Sequence, residues 1–360
     1  IPKDVLHLLP GDDVKVGACL VADSRVDGLV FTGGSSTAKS IQRQLAERDG
    51  AIVPLIAETG GLNVMLVDAT ALPEQVVDDV IVSAFQSAGQ RCSALRVIYL
   101  QEDIADQIVE MLQGAMQELN IGDPLQLETD IGPVIDLDAR QALERHVLRM
   151  RSEAKLLARC ESIPAGDGYF FAPQVYEIDS LNQLANEVFG PILHVIRYRV
   201  TDMPQVIRDV NDSGFGLTLG VHSRIDGFAR EVFNNTRVGN TYINRNMVGA
   251  VVGVNPFGGQ GLSGTGPKAG GPNYLLRFAT EKTRTENIVA KGGSQLRQFL
   301  GNLLKLGFPV TVQSDTSLFG PAQTNGEHPL LGAVEGFPCR SIPHSLHQLV
   351  ETGVLVDCQG

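Results

Sequence analysis

The alternation of helical and strand patterns is the feature that most constrains the fold of this chain. Short apolar runs and helical periodicity follow one another from the first residues to Leu219. Such a chain usually forms a parallel sheet covered by helices, because each parallel crossover needs a connection long enough for a helix. The sequence therefore predicts an α/β fold. Its apolar runs are far too short to cross a membrane as a helix, and no signal peptide is visible.

The individual elements can be assigned from periodicity and from glycine and proline signals. Strands are predicted over residues 4–9, 28–31, 52–57, 63–66, 95–100 and 310–313, and helices over 14–22, 35–47, 103–120, 138–154, 295–306 and 343–352. A further helix begins near Pro73, and Gly89 is its predicted C-cap. Residues 237–271 are rich in glycine and asparagine, which indicates a long loop of functional importance.

Composition excludes several classes of function. The net charge of −12 disfavours a nucleic-acid-binding surface, although backbone N–H groups can still hold an anionic substrate. Five cysteines without a CxxC spacing indicate neither a disulfide framework nor a zinc cluster, and they favour a reducing, cytoplasmic setting. His146, His194 and His222 lack a metal-binding spacing, so we expect surface or capping roles for them and no metal site.

Cys92 and Glu58 are the candidates for a nucleophile and a base. Cys92 lies on a predicted turn, where Arg91 would favour the reactive thiolate. Glu58 ends a predicted strand, and the small residues around it would let a ligand approach. Each residue alone also fits a structural role, as a packing cysteine and a surface carboxylate. Either residue alone is therefore weak evidence for covalent catalysis.

A glycine turn between a strand and a helix is the candidate phosphate site. It reads Thr32-Gly33-Gly34-Ser35-Ser36-Thr37. A helix that starts directly after such a turn presents its first backbone N–H groups to an anion. An ordinary tight turn explains the two glycines equally well.

Five motifs, in this order along the chain, resemble those of the aldehyde dehydrogenase superfamily: Phe31-Thr32-Gly33, Glu58-Thr59-Gly60-Gly61, Gly89-Gln90-Arg91-Cys92, Glu187-Val188-Phe189-Gly190-Pro191 and Pro256-Phe257-Gly258-Gly259. The resemblance covers roughly residues 1–285. It is closest to L-glutamate γ-semialdehyde (pyrroline-5-carboxylate) dehydrogenases, specifically the C-terminal half of bifunctional proline-utilisation proteins. It implies an aldehyde dehydrogenase-like fold with a partial Rossmann-type NAD domain, an α/β catalytic domain and a C-terminal extension.

The resemblance also implies domain bounds and a reaction. The end of the NAD-binding domain would span residues 1–58, the catalytic domain 59–262, a return segment with an oligomerisation strand 263–290, and an extension of unknown role 291–360. Cys92 would attack the aldehyde to give a thiohemiacetal and then a thioester. Glu58 would activate the water that hydrolyses the thioester, and the Cys92 N–H would help to hold the oxyanion.

The remaining site residues are implied in the same way. NAD would contact Gly33, Gly34, Ser35, Ser36 and Thr37 through its pyrophosphate, Glu187 through its nicotinamide ribose, and Phe189 near the nicotinamide. The substrate would be a small aldehyde that carries a carboxylate. Ser93, Gly249 and Ala250 would hold that carboxylate, and Phe257 would pack on the aliphatic chain.

The family pattern begins before the position of Ile1 and includes an oxyanion asparagine that this chain lacks. We therefore expect a fragment of a cytoplasmic, homo-oligomeric bifunctional protein, with little activity alone. FAD would bind only the proline dehydrogenase part, which is absent here. Two alternatives stay open. An aldehyde dehydrogenase for another substrate would not need Gly249 and Ala250, and an inactive structural copy would not need to keep Cys92 and Glu58.

Overall fold

The computed structural model describes residues 2, 4–11, 13–161, 168–251, 253–287, 312–314 and 332–334. The chain divides into two compact units, Ile1–Ala279 and Thr280–Gly360. In the second unit, the strands Val312–Ser314 and Gly332–Val334 pair antiparallel, and the first of them overlaps the strand predicted over 310–313. The helices predicted over 295–306 and 343–352 lie outside the described residues.

The first five helices of the first unit lie close to the predicted bounds, whereas no bounds were predicted for the last two. The helices are α1 (Ala18–Ala22), α2 (Ser35–Glu47), α3 (Pro73–Phe85), α4 (Glu102–Gln117), α5 (Leu137–Glu153), α6 (Met203–Asp212) and α7 (Asp226–Asn235). A π-helical turn, Asp13–Gly17, precedes α1. Short 3₁₀ helices span Gln86–Gly89, Leu181–Gln183, Val200–Asp202 and Leu275–Phe278.

The strands of the first unit form three sheets. They are β1 (Leu29–Thr32), β2 (Leu55–Glu58), β3 (Val64–Val67), β4 (Val97–Gln101), β5 (Lys155–Arg159), β6 (Gln174–Glu177), β7 (Ile192–Tyr198), β8 (Phe215–Gly216), β9 (Thr218–His222), β10 (Asn240–Ile243) and β11 (Gln260–Gly261). β1 and β2 form a parallel pair, and β8 pairs antiparallel with β11. The main sheet has the order β10-β9-β3-β4-β7-β6-β5 and is parallel except for β5.

The core lies on both faces of the main sheet. Every residue of β3 and the first four residues of β4 are buried, as expected for central strands of a parallel sheet between helical layers. Helix α3 turns Val76, Val80 and Ala84 inward, at the spacing of one helical face. The predicted α/β architecture with a dominant parallel sheet is confirmed.

The topology places opposite strand ends around one cavity. Glu58 is the last residue of β2, and Gly33 follows β1, so the small sheet contributes its carboxyl ends. Leu217 lines the cavity and directly precedes β9, and Cys92 lines it from the turn before β4, so the main sheet contributes its amino ends. The carboxyl ends of parallel strands are the usual place for a ligand. The main sheet departs from that rule.

Two local predictions are wrong. Residues 4–9 form no strand within the described part of the chain, and Leu6 and Leu8 are more than four-fifths exposed. An apolar run becomes a strand only where a neighbour supplies backbone partners. The predicted strand 52–57 begins later, at Leu55. Pro54 has no N–H, but its carbonyl accepts a bond from Leu29 N at 2.9 Å.

The histidines do not lie at the surface as expected. His194 and His222 are buried, and His146 is half-buried with its Nε2 atom 2.9 Å from Nε2 of His194. Among the described residues, no group of three or more histidine, cysteine or acidic side chains is arranged to hold a metal ion. Within the same residues, no helix is both long and apolar enough to span a membrane.

Candidate active site

A cavity of about 940 Å³ brings together most of the residues that the sequence singles out. Its walls include Gly33, Gly34, Glu58, Cys92, Ser93, Glu187, Phe189, Gly249, Ala250 and Phe257. These residues come from the β1–β2 pair, from turns next to the main sheet and from the long glycine-rich loop. The fold thus assembles the predicted nucleophile, base, cofactor and substrate positions around a single space.

The turn that carries Cys92 has an unusual backbone. Helix α3 ends at Phe85, and Ser87, Ala88 and Gly89 then adopt positive φ angles of 55°, 53° and 64°. Gly89 is therefore not the C-cap of α3, because the helix ends four residues earlier. A Cβ atom at Gly89 would collide with the carbonyl oxygen of Gly190. Both its conformation and its packing require glycine.

The Cys92 thiol is free, half-buried and flanked by carboxylates. Burial raises its pKa, and the charges of Glu187 and Glu58 raise it further, while nearby backbone N–H groups lower it. Arg91 was expected to favour the thiolate. Its Nε donates to Ser87 Oγ at 3.0 Å, so the guanidinium is engaged by the turn itself.

Glu58 has the environment of a general base. Its Oε2 accepts a hydrogen bond from Gly259 N at 3.3 Å. Its Oε1 is buried and has no hydrogen-bond partner in the described part of the protein. Burial raises the pKa of Glu58 to about 7, against the opposing effects of the Gly259 N–H and the Lys268 charge. A carboxylate that titrates near neutral pH is suited to take a proton from water.

Glu187 is held by a buried arginine that the sequence analysis missed. Arg96 is fully buried, and its Nη2 lies 3.0 Å from Glu187 Oε1. Burial raises the pKa of Glu187, while Arg96 and the Gly61 N–H lower it. The other carboxylate oxygen lies against Gly60, where a Cβ atom would collide with it. A charged residue inside the apolar run before β4 was the signal that could have revealed Arg96.

Asn63 is a second missed residue. Its side chain is buried and donates from Nδ2 to the carbonyl oxygens of Cys92 at 2.6 Å and Ala94 at 2.8 Å. Its Oδ1 accepts from Thr218 N at 3.2 Å. Asn63 thus ties residues 86–94, the turn that carries the predicted nucleophile (the nucleophile turn), to β9. A lone amide directly before the apolar residues of β3 was the available signal.

The glycine turn reaches the cavity only in part. Gly33 and Gly34 line it, whereas Ser35 Oγ donates to Leu262 O at 3.3 Å. The side chains of Ser36 and Thr37 are exposed and do not line the cavity. The first backbone N–H groups of α2 have no acceptor within the helix, so they suit a phosphate group. Backbone atoms, and not these two side chains, fit that role.

The substrate side of the cavity is formed by the long loop. Gly249 has a φ of 62°, and its N–H donates to Ser93 Oγ at 3.4 Å. Ala250 follows on the same wall. Phe257 is fixed by two backbone bonds to Ala269, of 3.0 and 2.8 Å. A hydroxyl and adjacent backbone N–H groups beside an aromatic ring can hold a carboxylate on an aliphatic chain.

Chemically, the cavity combines a thiol with a carboxylate that titrates near neutral pH. A second carboxylate, Glu187, is paired with a buried cation and faces the same space. This set suits attack on an electrophilic carbon followed by base-assisted hydrolysis.

Comparison with known proteins gives consistent results. The sequence pattern of the "Aldehyde dehydrogenase family" matches residues 1–284. The bifunctional protein PutA of Escherichia coli (strain K12) is 53% identical over 330 residues, which are 89% of this chain and 24% of PutA. A crystal structure of a Bradyrhizobium japonicum proline utilization A (PutA) mutant is 57% identical, with a TM-score of 0.77 over 81% of this chain and 30% of that one.

A second similar structure contains a nucleotide. The 1-pyrroline-5-carboxylate dehydrogenase from Thermus with bound NAD is 33% identical, with a TM-score of 0.71. The match covers 75% of this chain and 52% of that one. The chain thus spans about a quarter of the PutA protein from Escherichia coli and about half of the Thermus dehydrogenase.

Proposed function

This chain belongs to the aldehyde dehydrogenase family, and we propose that it carries the catalytic centre of an enzyme that oxidises L-glutamate γ-semialdehyde to glutamate with NAD, in proline catabolism. The observation that supports this most is the meeting of Cys92 and Glu58 in one cavity with the Ser93–Gly249 wall. The substrate is the open form of pyrroline-5-carboxylate. A cytoplasmic homo-oligomer, within a bifunctional protein, is part of the same proposal.

Cys92 begins the reaction. Its thiolate attacks the aldehyde carbon, a C–S bond forms, and the carbonyl electrons move to oxygen. The Cys92 backbone N–H would donate to that oxyanion. Since burial and two carboxylates raise the thiol pKa, a base must take its proton at neutral pH. Glu58, with a pKa of about 7, is suited to that task, and it releases this proton to solvent before the hydrolysis step.

The residues present fit NAD. The start of α2 offers free backbone N–H groups for the pyrophosphate, Glu187 offers a carboxylate to ribose hydroxyls, and Phe189 offers a partly exposed ring. The chemistry that NAD supplies when bound is acceptance of a hydride from the substrate carbon.

Glu58 completes the turnover. Once the substrate carbon is oxidised, it is held on Cys92 as a thioester. The unpaired Oε1 of Glu58 takes a proton from water, the resulting hydroxide attacks the thioester carbon, and the C–S bond breaks with the electrons returning to sulfur. Glutamate and the Cys92 thiolate are the products.

The first experiment reads chemistry at Cys92 without turnover, because the sequence predicts little activity from this chain alone. Iodoacetamide labelling is followed by peptide mass spectrometry, with the exposed Cys19 as internal reference. We expect pyrroline-5-carboxylate to protect Cys92 at a concentration at least about tenfold lower than the concentration of butanal that gives equal protection. Only pyrroline-5-carboxylate has a carboxylate that the Ser93–Gly249 wall can bind. Ser93→Ala should reduce that difference.

Turnover separates the alternatives. NADH formation with each aldehyde is compared in the wild type and in Cys92→Ser, with Cys19→Ser as the matched control. Equal protection and equal turnover with both aldehydes would indicate another substrate. An inactive copy would be supported by two results together. Neither aldehyde would protect Cys92 from labelling, and Cys92→Ser would not change NADH formation.

A further inference from the structure

Arg96 is the centre of a hydrogen-bond network that lies behind the cavity wall. The residue is fully buried, directly before β4, and is not among the cavity-lining residues. Its guanidinium donates four bonds: Nη1 to Gly89 O at 2.6 Å and Gly190 O at 3.2 Å, and Nη2 to Arg91 O at 3.0 Å and Glu187 Oε1 at 3.0 Å. These four hydrogen bonds compensate the burial of the guanidinium charge, so the network is a specific feature of the fold.

These four acceptors belong to two separate segments. Gly89 and Arg91 lie on the nucleophile turn, and Glu187 and Gly190 lie on the loop before β7. The guanidinium also stacks 5.3 Å from the centroid of the Phe189 ring. One side chain therefore fixes the backbone that presents Cys92, the carboxylate proposed for the ribose and the ring proposed for the nicotinamide.

The charges around the thiol give Arg96 a second role. The Glu187 and Glu58 carboxylates disfavour ionisation of the Cys92 thiol. The Cys92 thiolate in turn disfavours ionisation of the Tyr242 hydroxyl. Arg96 interacts favourably with both the Cys92 thiolate and Glu187. Lys268 faces Glu58.

We propose that Arg96 is a positioning residue that locks the nucleophile turn onto the Glu187–Gly190 segment and supplies the positive charge that holds Glu187 as a carboxylate beside Cys92. The inference rests on the proposed function for the identity of the nucleophile. It assigns to Arg96 no contact with substrate or cofactor. The charge of Arg96 should therefore affect ionisation in the cavity, and the forked geometry of its guanidinium should affect the rigidity of the nucleophile turn.

The test is the pH profile of iodoacetamide labelling at Cys92 in the 360-residue chain, read by peptide mass spectrometry. In Arg96→Met both the charge and the four donated bonds are lost, so we expect the midpoint to move by at least about 0.5 pH unit and hydrogen exchange at residues 89–91 to be at least about threefold faster. In Arg96→Lys the charge stays and the fork is lost. We expect a midpoint within about 0.3 unit of wild type, but hydrogen exchange at residues 89–91 that is at least about threefold faster.

Arg197 provides the matched control. It is ion-paired with Glu177 and Asp106 away from the cavity, so Arg197→Met should leave the Cys92 midpoint unchanged. A folded Arg96→Met with the wild-type midpoint would overturn the proposal. Should that variant not fold, Glu187→Gln gives a second reading, because removal of an anion that disfavours the thiolate should lower the midpoint.

A midpoint that Glu187→Gln leaves unchanged or raises would also overturn the proposal. Failure of the proposed function is recognised separately. If pyrroline-5-carboxylate does not protect Cys92 while Arg96→Met still moves the midpoint and speeds exchange at residues 89–91, then the substrate assignment is wrong and the role of Arg96 stands.

Discussion

The amide of Asn63 donates to the carbonyl oxygen of Cys92 at 2.6 Å, so the proposed nucleophile is held through its own backbone. The same nitrogen donates to Ala94 O, and the side-chain oxygen accepts from Thr218. Asn63 immediately precedes the central strand β3. The position of the thiol is therefore fixed to the most buried part of the sheet, independently of the thiol's protonation.

Asn63→Ala should destabilise the fold and loosen the nucleophile turn. The change leaves two carbonyls and one N–H buried without partners, so we expect a loss of about 2–4 kcal/mol in the free energy of unfolding. Urea unfolding measures it. Asn234→Ala, on the exposed face of α7, is the control and should change stability by no more than about 0.5 kcal/mol. Equal stability of the two variants would contradict the role of Asn63.

Lys268→Met should make Glu58 a base that works only at higher pH. The Lys268 charge lowers the Glu58 pKa, which burial raises to about 7. Loss of that charge should move the pH midpoint of acyl-enzyme hydrolysis upward, while Lys268→Arg should keep it near the wild-type value. The release of acetate from enzyme acylated with p-nitrophenyl acetate gives the profile. A midpoint that stays fixed or falls in Lys268→Met would count against Glu58 as the base.

The paired histidines should make stability depend on pH in mild acid. Burial lowers the pKa of His146 to about 4 and that of His194 to about 3, from 6.5. Below pH 6.5 the unfolded chain therefore binds more protons than the folded one, and stability falls as pH falls toward 4. The slope is at most about 1.4 kcal/mol per pH unit for each histidine.

His146→Gln should reduce this slope by roughly a third, because His194 and His222, whose pKa values burial also lowers, remain. The free energy of unfolding is measured by urea denaturation of the wild type and the variant at several pH values between about 4 and 6.5. His7→Gln, at an exposed position, should leave the slope unchanged. An undiminished slope in His146→Gln would show that other groups cause the dependence.

Gly89→Ala and Gly114→Ala should have opposite effects. At Gly89 the left-handed backbone alone costs an alanine about 1–2 kcal/mol, and the added Cβ also collides with Gly190 O. Gly114 lies exposed on α4 with open space around it, so alanine should stabilise the helix by about 0.5–1 kcal/mol. Urea unfolding of both variants checks the sign. Equal shifts would exclude strain at Gly89.

Regular elements with a clear apolar face could be predicted from the sequence. Helix α5 was expected over 138–154 and spans Leu137–Glu153, because its buried residues recur at the helical period. The strand predicted over 4–9 shows the limit of this reasoning. Its apolar residues are indistinguishable from those of β3, but the described structure provides no neighbouring strand to pair with them.

Site residues with a chemical signature were also recognised, whereas those that act through packing were not. Cys92 and Glu58 stand out by residue type and motif. Arg96 and Asn63 become important only because residues 63, 96 and 187 meet in space, and no local pattern reports that meeting. The histidines were misjudged for the same reason. His194 is buried because β7 lies between β4 and β6, a position that periodicity does not encode.

The chain order of the site has a consequence for its synthesis. Glu58 and Cys92 leave the ribosome well before Gly259, whose N–H binds the Glu58 carboxylate, and before Ala269, which fixes Phe257. Until that late segment arrives, the thiol and the base cannot have the surroundings described above. A nascent chain paused before Phe257 would thus lack the Gly259 bond to Glu58 and the Phe257 wall of the cavity, and it would not yet be able to catalyse.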